Sequence, residues 1–173
     1  MTERVRKQRS TSSTHKSAII AKKFLASGDF SIAKDILIYI SKDGEVDTSK
    51  ILDASIRSGK NIYCPMVRGN FMTTGKFGPM KPGKFGIMEP EKTSSKKKFD
   101  IIMVPGAAFD KNGARVGRGS GYFDRFLAKA SGKMIGLAYD FQIVRNIMAE
   151  SHDVPMNSII TDRRVIHIKK NRT

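Results

Sequence analysis

Apolar residues fall along this chain in blocks that alternate between helical spacing and unbroken runs. Ser17 to Leu25 sets Ile19, Ile20 and Phe24 at helical intervals, with Gly28 as the expected C-cap. Ile36-Leu37-Ile38-Tyr39-Ile40 is unbroken, as expected of a strand covered on both faces of a parallel sheet. After a polar loop from Ser41 to Asp47, Thr48 or Ser49 caps a helix running to about Ser58 and ended by Gly59. Asn61-Ile62-Tyr63-Cys64 is the next strand, expected to stop at Pro65. Val67 to Pro90 is dense in glycine and proline and reads as loop or short hairpin, with Phe85 to Met88 as a short strand. Segments of this kind more often cover a site than build a core. A strand at 100–104, a glycine-rich loop and a helix from Tyr122 to about Ala130 follow. Met134 to Tyr139 is another buried strand, Phe141 to Ala149 a helix, and Ile159-Ile160 and Val165 to Ile168 closing strands. The alternation predicts an α/β fold with helices on a mainly parallel sheet.

Composition narrows the class. The chain has 173 residues, 39% hydrophobic and 28% charged, enough for one domain with a real core. Residues 1–16 are basic and rich in Ser/Thr, and read as an arm or a clipped first helix ahead of a single domain over 17–173. Their Arg/Ser bias resembles a transit peptide, but helical spacing begins directly after them. No apolar run is long enough to span a bilayer and no signal-peptide core follows the start, so a cytoplasmic protein with no membrane partner is expected. Cys64 is the single cysteine and reads as a small buried residue at a strand end. The net charge of +16 is concentrated near both ends and around Lys92 and Lys96 to Lys98. Such a surface keeps a protein soluble or attracts polyanions, nucleic acid among them, although neither zinc-finger spacing nor an RNP motif is present.

The chemistry concentrates between Val104 and Leu127. Gly106, Gly113, Gly117, Gly119 and Gly121 stand between an apolar strand and a helical pattern, with Arg115 and Arg118 among them. Strand, glycine loop and helix start form an anion site, with backbone N–H groups, a dipole and two guanidinium groups. It is not a dinucleotide fingerprint, because Tyr122 stands where the last glycine of that pattern belongs. Gly78 to Lys84 has P-loop spacing, but Phe85 replaces the hydroxyl residue, and Pro79 and Pro82 remove N–H donors. Asp124 reads equally as a Mg²⁺ ligand or as a charge favoured by a helix start. Glu45 and Asp153, taken singly, read as loop acids.

Four blocks together resemble the 5-formyltetrahydrofolate cyclo-ligase family. They are Ile38-Tyr39-Ile40 with Glu45 to Thr48, Gly86-Ile87-Met88-Glu89-Pro90, Val104-Pro105-Gly106 through Asp124, and His152-Asp153-Val154-Pro155 before Thr161-Asp162. The third block is the most specific, and order and spacing agree over about residues 17–168. The resemblance implies a Rossmann-like three-layer αβα domain that uses ATP and Mg²⁺ to close 5-formyltetrahydrofolate to 5,10-methenyltetrahydrofolate through phosphorylation of the formyl oxygen, and a monomer is expected. It implies ATP contacts from Arg6 and from Arg115, Val116, Gly117, Arg118, Gly119, Ser120, Gly121, Tyr122 and Phe123. It implies folate contacts from Ile40, Glu45 and Arg118 to Tyr122, catalytic roles for Arg118 and Tyr122, and magnesium held by Asp124 and Asp153. A related activity on another reduced pterin is the alternative within the family. Three departures stand out: Thr2 where the family has lysine, Phe123 for the usual tyrosine, and no proline in 148–151 before the His-Asp turn.

Overall fold

The computed structural model describes residues 3–42, 44–148 and 153–169. The chain runs α1 (Glu3–Leu25), α2 (Gly28–Ile32), β1 (Asp35–Leu37), α3 (Ser49–Arg57), β2 (Asn61–Arg68), β3 (Phe71–Lys76), β4 (Met80–Pro82), β5 (Met88–Pro90), β6 (Lys98–Val104), β7 (Ala108–Asp110), β8 (Arg115–Val116), α4 (Tyr122–Leu127), β9 (Ser131–Leu137), β10 (Ile143–Val144), β11 (Ser158–Ile160) and β12 (Val165–His167). The main sheet has the order β12-β11-β9-β6-β1-β2-β3. β11, β9, β6, β1 and β2 are parallel, and antiparallel strands close both edges. The expected α/β fold with a mainly parallel sheet is therefore present.

Side chains alternate across this sheet as the strand period requires. Ile36, Ile38, Ile101, Met103, Ile135 and Leu137 face a core shared with Ile20, Phe24 and Ile51 from α1 and α3. Leu37, Ile102, Val104, Met134 and Ile159 face the other way, onto Phe109, Phe126, Leu127 and Met156. One outer layer is helical. The other is built from α4, the loop before β11 and the small sheet β10-β7-β8.

Local departures from the sequence expectation have physical causes. α1 begins at Glu3, so the stretch up to residue 16 is helical where described, and Ser17, Ile20, Ala21 and Phe24 form its buried stripe. Gly28 is not a C-cap: Ser27 caps α2 by accepting the Phe30 N–H at 3.2 Å. β2 continues through Pro65 to Arg68, because β1 pairs with it only as far as Tyr63 and beyond that one flank is open. The glycine-rich region holds two hairpins, β2–β3 and β4–β5, and Lys84–Gly86 is a 3-10 turn instead of a strand start. The helix expected from Phe141 is absent over its described part. Asp140–Gln142 is a single 3-10 turn, and Ile143 and Val144 pair with Phe109 and Asp110.

Candidate active site

β1 has β2 on one side and β6, reached later in the chain, on the other. The direction of sheet growth reverses there, and in open α/β sheets ligands bind outside the carboxyl ends of such strands. From β1 the chain continues through Ile38, Tyr39 and Ile40 into the Glu45 loop, and β6 continues through Pro105 and Gly106 toward the glycine loop. A Cβ on Gly106 would lie 2.7 Å from the Phe109 ring, so the backbone can pass there only as glycine. Gly113, Gly119 and Gly121 have positive φ, and Gly121 turns the chain into α4 at φ 62°. α4 has six residues and no side-chain N-cap, so the dipole contribution expected at its start is small. The positive charge of the site comes from arginine.

A cleft lies over these strand ends, enclosing about 880 Å³ with its mouth included. Ile40, Glu45, Arg115, Gly117, Arg118, Ser120, Gly121, Tyr122, Phe123 and Asp124 all line it. Glu45 and Arg118 form an ion pair at 3.2 Å, and the second Glu45 oxygen accepts the Lys42 N–H at 3.0 Å. Arg115 is 5% exposed, pairs with Asp124, and donates to the Pro105 carbonyl at 3.2 Å. Burial pushes its pKa below the usual arginine range, while Asp124, and more weakly Asp153, hold it up. Asp153 thus acts electrostatically on the same guanidinium as Asp124.

A second, wider cleft adjoins the first. Val116, Gly119 and Asp153 line only this one, whereas Arg115, Gly117, Gly121 and Asp124 line both. The Arg115–Asp124 pair and the glycines are therefore a wall between two chambers. Every site residue expected from the sequence borders one chamber or both, apart from Arg6. Arg6 lies in α1, and its side chain is outside the described residues.

The sequence marks the glycine-rich hairpins as a cover but assigns no site role to any one of their residues, yet Met72, Lys84, Ile87 and Glu89 line the first cleft. Lys84 donates to the Tyr122 hydroxyl at 2.9 Å, which ties the covering hairpin to the glycine loop. Glu89 is buried; it accepts the Val67 N–H at 2.9 Å and pairs with Arg68 at 2.8 Å. The available signal was the Gly-Ile-Met-Glu-Pro block, which marks a buried acid beside a proline but does not reveal its partners.

The model of the 5-formyltetrahydrofolate cyclo-ligase family matches residues 1–162. The chain belongs to this family. A Haemophilus influenzae 5-formyltetrahydrofolate cyclo-ligase is 36% identical over 145 residues, covering 74% of this chain and 75% of the relative. The solved 5,10-methenyltetrahydrofolate synthetase of Aquifex aeolicus superposes with a TM-score of 0.83 at 29% identity, covering 94% of this chain and 86% of that one. A Mycoplasma pneumoniae structure with a TM-score of 0.67 and 23% identity shares the fold.

Proposed function

We propose that this cyclo-ligase converts 5-formyltetrahydrofolate and ATP to 5,10-methenyltetrahydrofolate, ADP and phosphate, with the folate and the triphosphate meeting at the Arg115–Asp124 wall. The observation that carries the reading is the sharing of that wall by two chambers, one holding Glu45 and the other Asp153. Glu45 is an acceptor suited to the adjacent N–H and amino groups of a pterin edge, with Ile40 packing beside it. Arg115 and Arg118, with the glycine-loop N–H groups from Val116 to Phe123, receive the phosphate oxygens. In the first step the formyl oxygen takes the γ-phosphoryl group and ADP leaves. In the second, N10 attacks the formyl carbon, loses its proton, and the phosphorylated oxygen departs as phosphate. An amide oxygen is a poor leaving group and phosphate a good one, so the protein supplies positioning and charge neutralisation.

Asp124 and Asp153 fit a magnesium ion. Both are hard oxygen donors facing one buried arginine, and Mg²⁺ usually takes one or two carboxylates together with substrate phosphates. When bound, it supplies charge neutralisation at the phosphates. Arg118 and Tyr122 are the candidate catalytic side chains. Arg118, on the glycine loop, pairs with Glu45, and the Tyr122 hydroxyl is held by Lys84. Arg6 completes the nucleotide side in this reading. The protein is taken as one cyclo-ligase domain, monomeric and cytoplasmic, and the boundary expected at residue 17 falls inside α1.

The decisive experiment incubates full-length protein with 5-formyltetrahydrofolate and Mg-ATP and follows methenyl product absorbance together with ADP. Stoichiometric formation of both is expected. A folded protein that forms neither product overturns the assignment, and ADP formation driven by a different reduced pterin would reassign the substrate.

A further inference from the structure

The carboxylate assigned to the pterin stands on a loop, and loops hold a charge in place only when tied down. Besides the Tyr39 hydroxyl, which donates to the Val46 carbonyl at 2.9 Å, a second set of ties to the Glu45 loop converges on Tyr139, just beyond β9. The Tyr139 hydroxyl donates to the Glu45 carbonyl at 3.1 Å. The same oxygen lies 2.6 Å from Ser13 Oγ and 2.9 Å from Ser17 Oγ, both on α1. Ser17 Oγ in turn accepts the Asp47 N–H at 3.0 Å. Tyr139 is itself fixed: it is buried, and the Phe141 ring stacks on it at 5.7 Å and 13°. Its backbone N–H donates to Gln142 Oε1 at 2.8 Å. One hydroxyl thus joins the helix, the end of the central sheet and the substrate loop.

We propose that Tyr139 is a positioning residue for Glu45, fixing the loop backbone so that the carboxylate presents to the pterin edge. This rests on the assignment of Glu45 to the pterin. A second arm runs through α1. Because Ser13 and Ser17 belong to the helix that carries Arg6, a displacement of α1 reaches Glu45 through this hydroxyl. Tyr139 touches no reacting atom in this arrangement, and its effect passes through the acid.

Tyr139→Phe keeps the ring and removes only the hydroxyl. The expected result is a KM for 5-formyltetrahydrofolate raised about five- to tenfold, as for the loss of one hydrogen bond, with kcat within about twofold. Glu45→Gln and the double variant complete a cycle. If Tyr139 acts through Glu45, Tyr139→Phe adds no further KM increase once Glu45 is replaced. An unchanged KM in Tyr139→Phe, even with a lowered Tm, overturns the proposal, as does full additivity in the double variant. A Glu45→Gln variant with normal KM overturns the pterin assignment of Glu45 and this proposal with it. A raised KM there beside a normal one in Tyr139→Phe overturns the positioning role alone.

Discussion

Asp124 carries two duties that one substitution can separate. It neutralises Arg115, a guanidinium that is almost fully buried, and it is the candidate magnesium ligand beside the glycine loop. Asp124→Asn keeps the shape and removes the charge. Turnover is expected to fall about 100-fold, since charge at a transferring phosphoryl group is a large part of catalysis. Stability is expected to fall by about 1–3 kcal/mol from the lost charged hydrogen bond. Initial rates at saturating magnesium and thermal unfolding measure the two, and near-normal turnover removes Asp124 from the site. Arg118→Ala acts differently, because Arg118 is 41% exposed and its departure leaves Glu45 without that partner. It is expected to lower kcat about tenfold or more with little change in Tm. Cys64 sits at the other extreme of reactivity: burial pushes its thiol up to about 12, as suits a packing residue.

Among the elements, the β4–β5 hairpin decides how well the first cleft is covered. A Cβ on Gly83 would lie 2.2 Å from Glu89 Cδ. That carboxylate cannot swing aside cheaply, because Val67 N–H and Arg68 both hold it. Gly83→Ala should therefore shift the hairpin that bears Lys84 and Ile87, raising KM for the folate about tenfold; an unchanged KM in steady-state assays would show that this cover is not needed. The element scale also shows what the sequence could convey. Ile101 to Val104 and Met134 to Leu137 were legible as strands because unbroken apolar runs suit only a doubly covered sheet. The first half of α1 was not, since its stripe becomes apolar only from Ser17 onward. The segment from Phe141 looked helical by composition, but parallel pairing with β7 and the Gln142 cap to Tyr139 fix it otherwise. Likewise the glycine loop was readable as an anion site from its arginines. That Glu45 and Asp153 join it was not readable from local pattern, because both come from distant loops that only the sheet order brings together.

At the scale of the whole molecule, one aromatic ring locks the layers. Phe109 is fully buried, and both Gly106 and Gly136 would place a Cβ 2.7 Å from its ring. It therefore fills the space between the small sheet and the parallel strands that carry the site. Phe109→Ala is expected to cost about 3–5 kcal/mol in chemical denaturation, and a loss under about 1 kcal/mol would show that the layers pack without it. The glycines give the same contact its tightness, so larger residues at 106 or 136 demand a smaller one at 109.

The wall between the two chambers has a consequence for ligand design. Arg115, Gly117, Gly121 and Asp124 border both spaces, so the compartments proposed for the folate and the nucleotide are separated by side chains and bare backbone, not by a layer of structure. A single molecule that links a pterin to a polyphosphate through a short tether would occupy both without crossing solvent. Its second half would bind at an effective concentration in the millimolar range or above. The architecture thus favours bisubstrate compounds as tight inhibitors over analogues of either substrate alone.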